Sequence, residues 1–146
     1  MYDQLFQLSN LLVMPFWLLV IFLPFWGWTK RIIGSPWIAA PAALLYVILV
    51  LPGVIGLFAQ LANPELGQIA NFLGTPAGAT LAWAHLVAFD LFVGRWVYLD
   101  SRERGITAWL VSPILFFVLM FGPLGLLLYL VTRLFVARYA GTALRQ

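Results

Sequence analysis

The sequence has no cysteine, one histidine, one lysine and only 9% charged residues among its 146. Without cysteine there is no disulfide, no thiolate metal site and no iron–sulfur cluster, and a single histidine excludes bis-histidine haem within one chain. His85 and Asp90 are the one conceivable pair of metal ligands, and their five-residue spacing splays them around a helix. No metal and no cofactor is expected. The scarce charges, eight Lys and Arg against five acids, give a net +3 and stand mostly at the ends of apolar runs rather than in a tract. They read as topology signals and not as a nucleic-acid surface. What fills the chain instead is 64% hydrophobic residues, 16% of the total aromatic, with a mean hydropathy of +1.00. That composition excludes a water-soluble domain and defines an integral membrane protein.

Apolar runs and their punctuation predict an all-α integral membrane bundle of four transmembrane helices, one domain over 1–146, with spans at about 5–28, 36–61, 76–99 and 107–135. The first run has no basic segment before it and no small-residue cleavage site, so it reads as a spanning helix and not a removed signal. It ends in Trp26-Gly27-Trp28-Thr29-Lys30-Arg31, an aromatic belt followed by basic charge that marks a membrane interface. Ser35-Pro36 and Thr75-Pro76 are capping residues followed by proline at a first helical position, and they open the second and third spans. Asn63-Pro64-Glu65 repeats the signature and predicts a short interfacial helix between helices 2 and 3. Asp100-Ser-Arg-Glu-Arg-Gly105 reads as a solvated loop, and Phe121-Gly122-Pro123-Leu124-Gly125 as a proline-interrupted centre of the fourth span. Four spans put both termini on one side, and the basic residues of the loops then oppose Arg133, Arg138 and Arg145 of the tail.

The third span is the informative one, because His85, Asp90 and Arg95 lie inside its apolar run. An Asp or Arg at the centre of a transmembrane helix costs roughly 2.5–3.5 kcal/mol on insertion scales, so such residues mark function or a paired structural device. At about 100° per residue, successive members of the trio stand roughly 140° apart and share no stripe. The lean of helical side chains toward the N-terminus favours a pairing of Arg95 with Asp90. Gly94 leaves a notch beside the carboxylate for a helix or a ligand, Trp83, Phe89 and Trp96 surround it with aromatic area, and Pro123 frees a carbonyl at its level. The candidate catalytic residues are Asp90, His85 and Arg95; the candidate ligand-binding residues are Trp83, Phe89, Gly94, Trp96 and Pro123. Three readings of the trio stay open: a catalytic or binding site, a structural pair fixing helix register, and a proton path.

The run from Ala84 to Asp100 (AHLVAFDLFVGRWVYLD), with Pro113 to Phe117 (PILFF) and Phe121 to Gly125 (FGPLG), resembles the abscisic-acid-deficient-four-like family. These are small four-helix membrane proteins of plants, algae and cyanobacteria, and the plant members are linked to making neoxanthin from violaxanthin. The resemblance implies a place in carotenoid metabolism, and the absence of a long N-terminal transit segment makes the chain look bacterial, in the first instance cyanobacterial. The chemistry it implies turns an epoxide end group into an allene, a redox-neutral isomerisation needing an acid for the oxygen and a base for the adjacent carbon. On that reading Asp90 is the acid, His85 the proton acceptor, and Arg95 orients Asp90 and stabilises developing alkoxide charge. The expected partners are membrane lipid and a carotenoid ligand, with a homo-oligomer or larger membrane complex as the assembly. The alternative is a non-catalytic scaffold or a pigment- or lipid-binding assembly module.

Overall fold

The computed structural model describes residues 1–143, with side chains through Val136. Every regular element among them is helical. Helix α1 (Tyr2–Phe22) is followed by α2 (Gly27–Gly34), a short 3-10 turn at Pro36–Ala39, α3 (Ala40–Val50), a second such turn at Leu51–Gly53, α4 (Val54–Ala62), α5 (Leu66–Leu73), α6 (Pro76–Glu103), α7 (Ala108–Phe121) and α8 (Pro123–Ala143). Among the described residues, three stretches are long and apolar enough to cross a membrane: α1, the nearly continuous path Pro36–Ala62, and α6. Large apolar side chains such as Leu18, Trp37, Ile55, Phe58, Leu66, Trp109 and Leu134 stand more than half exposed. A surface of that kind is stable against lipid and costly against water.

Capping side chains stand at the starts of several helical elements, at Ser35 and Thr75 as the sequence signals them. Thr75 Oγ1 accepts a hydrogen bond from Gly78 N at 3.0 Å ahead of α6, and Ser35 Oγ accepts one from Trp37 N at 3.3 Å. Thr107 caps α7 by accepting from Trp109 N at 3.2 Å. A short helix, α5, occupies the expected connection after Asn63. Three expectations are corrected. The first long helix stops at Phe22 rather than near 28, because Pro24 cannot continue it and α2 starts anew at Gly27. The charged stretch after the third span is largely helix, since α6 runs on through Glu103. It ends in a turn where Gly105 has φ +67°, with Ile106 N bonded to Ser101 O at 2.9 Å and Gly105 N to Arg102 O at 3.3 Å.

The third correction concerns 107–135, which is two helices and not one. Gly122 adopts φ +26°, ψ −84°, a backbone open to glycine, and Pro123 then begins a new helix at its first position. A Cβ placed on Gly125 would run into the backbone of Val118 and Phe117, seven and eight residues earlier. Residues seven apart in a straight helix are separated by about 10.5 Å, so the chain reverses at Gly122 and α7–α8 is a tight hairpin.

The chain divides into two compact units, to both of which α1 and α6 contribute. The first comprises Met1–Met14 and Ala39–Phe89, the second Pro15–Ile38 and the chain from Asp90 onward. In the first, α6 presents Leu81, Ala84, Val87 and Ala88 as a buried stripe with Val13, Ala42 and Leu45 also in the core. Trp83 stacks on Phe6 with ring centroids 5.2 Å apart and donates to Asn10 Oδ1 at 3.0 Å. In the second, the stripe of α6 continues as Leu91, Gly94, Val97, Tyr98 and Ser101. Trp17, Ile33, Leu115, Val118 and Tyr129 are buried in the same core. The i, i+3, i+4, i+7 spacing of these positions is what lets one helix serve as a central post.

Candidate functional site

Asp90 lies midway along α6, and the turn of the α7–α8 hairpin is set directly against it. A Cβ on Gly122 would collide with the Asp90 carboxyl group, so glycine is required there twice over, by its positive φ and by this approach. The carboxylate is half-buried, and among the described residues it makes no hydrogen bond or ion pair. Gly122 immediately precedes Pro123, so the carboxylate also neighbours the start of α8, an end favourable to negative charge. The expected meeting of the Gly122–Pro123 interruption with Asp90 is what the structure contains. Pro123 itself opens a helix instead of breaking one.

A second cluster fixes that arrangement. Tyr129, fully buried, donates its hydroxyl to Asp100 Oδ2 at 2.5 Å, and Arg104 Nε donates to the same oxygen at 2.8 Å. Arg133 Nε approaches it at 3.5 Å while its guanidinium lies over the Trp96 ring, 5.7 Å from the centroid. Trp96 meets Tyr129 edge-on at 5.5 Å. These contacts run α8 alongside α6 in the same direction, from Gly122 at Asp90 to Tyr129 and Arg133 at Asp100. Charge-assisted hydrogen bonds are the stronger kind, and here they pin one limb of the hairpin to the central helix. The charged stretch was read from sequence as a solvated loop, and Tyr129, 29 residues beyond Asp100, carried no local signal of this network.

The other predicted residues are distributed differently from the expectation. Arg95 does not pair with Asp90. Its Nε donates to Ser35 O at 3.2 Å and its terminal nitrogen to Gly34 O at 2.6 Å, so it satisfies the free carbonyls that end α2. The notch at Gly94 is filled from within: a Cβ there would strike the Trp17 ring, and Gly94 is a packing slot rather than a ligand port. Trp96 belongs to the Asp100 cluster. His85, Trp83 and Phe89 fall in the first unit, where His85 stacks on Phe89 at 4.8 Å and meets Tyr46 at 5.2 Å. The predicted lack of a shared stripe is thus visible in three separate sets of neighbours. On the second unit's surface Phe116, Phe117 and Phe121 form an exposed aromatic row, with centroid spacings of 6.3 and 6.4 Å, leading to Gly122 and the turn at Asp90.

Long apolar helices, a lipid-compatible surface and a carboxylate placed at the turn of a helical hairpin define a helical membrane protein with a mid-helix polar site. Residues 4–129 match the model of the ABA DEFICIENT 4-like family, and the chain belongs to that family. It is 29% identical over 138 residues, 90% of its length, to Protein ABA DEFICIENT 4, chloroplastic, of Arabidopsis thaliana. The chain spans 61% of that relative's length. No solved structure matches it.

Proposed function

We propose that this protein handles a carotenoid within the membrane, holding an oxygenated end group at Asp90 and isomerising it by proton transfer. The observation that carries the reading is the Asp90 carboxyl group, set at the hairpin turn with no protein partner among the described residues. An intramembrane acid left unpaired is costly unless it serves a ligand. The aromatic row from Phe116 to Phe121 offers an apolar track for a conjugated chain ending at that turn. On this reading α1, Pro36–Ala62 and α6 span the bilayer, α5 lies along its surface, and the α7–α8 hairpin enters and returns.

The opening of an epoxide to an allenic alcohol needs one proton delivered and one removed. A carboxyl group provides both: one oxygen protonates the epoxide oxygen as the C–O bond breaks, and the other accepts the proton from the neighbouring carbon. Asp90 ends as it began, and no electron is exchanged with any cofactor. Arg95, engaged by the carbonyls of Gly34 and Ser35, keeps α2 in place.

The test is to incubate the purified protein and its Asp90→Asn variant in mild detergent with a 5,6-epoxy xanthophyll and to separate the products chromatographically. The native protein is expected to form the allenic isomer and the variant to lose at least about 100-fold in rate, the scale of a positioned acid–base group. An unchanged rate in Asp90→Asn removes Asp90 from the chemistry. Retention of pigment without turnover in both proteins selects the binding or assembly role.

A further inference from the structure

The first unit contains a cavity that the chemistry at Asp90 does not use. It has a volume of about 140 Å³ and is bounded by α4, α5, α6 and the side chain of Tyr46 from α3. Most of its wall is apolar, with Leu57, Ile69, Phe72 and Leu81 among the lining residues. Three hydrogen-bonding side chains interrupt that wall: Tyr46, Gln60 and His85. None of the three makes a side-chain hydrogen bond among the described residues, in contrast to Asn10, Gln68 and Thr80, each of which does. Gln60 and His85 are exposed and Tyr46 is half-buried, and His85 is held in orientation by rings alone, Phe89 stacked at 4.8 Å and Tyr46 edge-on at 5.2 Å.

Water is absent from the hydrocarbon core of a bilayer, so an amide, a phenol and an imidazole left unpaired in an apolar helix wall carry a desolvation cost. Three such groups around one cavity describe a ligand with an oxygen function. Its size is that of a ring: cavities near 150 Å³ lined by Leu, Ile and Phe accommodate benzene. A larger apolar cavity of about 440 Å³ shares Leu57, Phe72 and Leu81 with it and offers room for a chain attached to such a ring. We propose that the cavity bounded by Tyr46, Gln60 and His85 binds the oxygenated six-membered ring of an isoprenoid lipid, with the isoprenoid chain continuing into the larger cavity. The ring stacks beside Phe72, and its oxygen takes the hydrogen bonds that the three side chains lack. A hydroxylated carotenoid ring and a quinone head group share this chemistry. Asp90 does not line this cavity and belongs to the other unit.

The experiment titrates the full chain, carrying Asp90→Asn so that the chemistry proposed for Asp90 cannot interfere, with four probes in detergent while following tryptophan fluorescence. The probes are zeaxanthin, β-carotene, plastoquinone and the ringless alcohol geranylgeraniol. Zeaxanthin or plastoquinone is expected to bind at least tenfold more tightly than β-carotene and geranylgeraniol, and whichever of the two is tighter names the source of the ring. Gln60→Leu, His85→Leu and Tyr46→Phe should each weaken that probe by about three- to tenfold with thermal unfolding unchanged or raised, because each replaces an unpaired polar group by an apolar one. Equal affinity for β-carotene or geranylgeraniol, or variants that bind the oxygenated ring as well as the parent, overturns the proposal. Neither result bears on turnover at Asp90, which is read separately from the product assay.

Discussion

Gly94 and Trp17 show how a single residue type decides the packing of the second unit. Trp17 is 1% exposed, and its ring occupies the space that a side chain at position 94 would need. Adding one methyl group there forces the ring of a buried tryptophan off its position, and overpacking of that kind costs about 1–3 kcal/mol. Gly94→Ala is therefore expected to lower the unfolding temperature in detergent, and Trp17→Phe, which vacates part of the slot, should recover most of the loss in the double variant. Additive effects of the two substitutions would mean that they do not share the contact. Trp17 also carries the buried indole N–H that has no partner among the described residues. A phenylalanine leaves no such donor, which adds to the expected recovery.

Individual elements depend on a few polar anchors because lipid gives the backbone no alternative partner. Arg95 supplies two donors to the end of α2, and Tyr98 donates its hydroxyl to Pro24 O at 3.0 Å in the turn before it. Removing the guanidinium leaves the carbonyls of Gly34 and Ser35 unpaired, a loss of about 1.5–3 kcal/mol for hydrogen bonds to a charged group. Arg95→Leu should raise amide hydrogen exchange across 24–38 while leaving α7 protected, with Arg95→Lys intermediate, since a lysine lacks the planar fork. Unchanged exchange in that stretch would remove Arg95 as the anchor of α2. Such anchors were only partly legible in the sequence. The helix starts at Ser35-Pro36 and Thr75-Pro76, the short helix after Asn63 and the approach of Gly122 to Asp90's level all follow from local chemistry. Arg95 was misassigned because Asp90 lies five residues before it, on the side toward which helical side chains lean, whereas its carbonyl partners lie 60 and 61 residues away. The hairpin was missed because an apolar run interrupted by glycine and proline has the same composition whether it kinks or reverses. The positive φ of Gly122 and the packing of Gly125 on Phe117 and Val118 distinguish the two.

For the whole molecule, the reversal at Gly122 changes the topology that the apolar runs alone imply. A straight helix over 107–135 would be about 43 Å long and carry the tail to the far side of the membrane. The hairpin instead returns α8 along α6, so that Arg133 reaches Asp100 near the end from which α7 began. The loop and Arg133 of α8 then lie on one side, and their basic charges add instead of opposing each other. Arg102 lies over Phe25, 5.6 Å from the ring centroid, so the turn before α2 joins the same group. All eight Lys and Arg of the chain belong to the second unit's segments, and the first unit's contain none. The positive-inside rule therefore predicts that Glu103 and Val136 lie together on the cytoplasmic side. The absence of cysteine makes this directly testable, because Glu103→Cys and Val136→Cys each introduce the molecule's one thiol. A membrane-impermeant maleimide should label both positions in inside-out vesicles and neither in right-side-out ones. Labelling of the two from opposite faces would restore a straight fourth span and refute the hairpin. Labelling of both from the outer face would keep the hairpin and reverse the orientation.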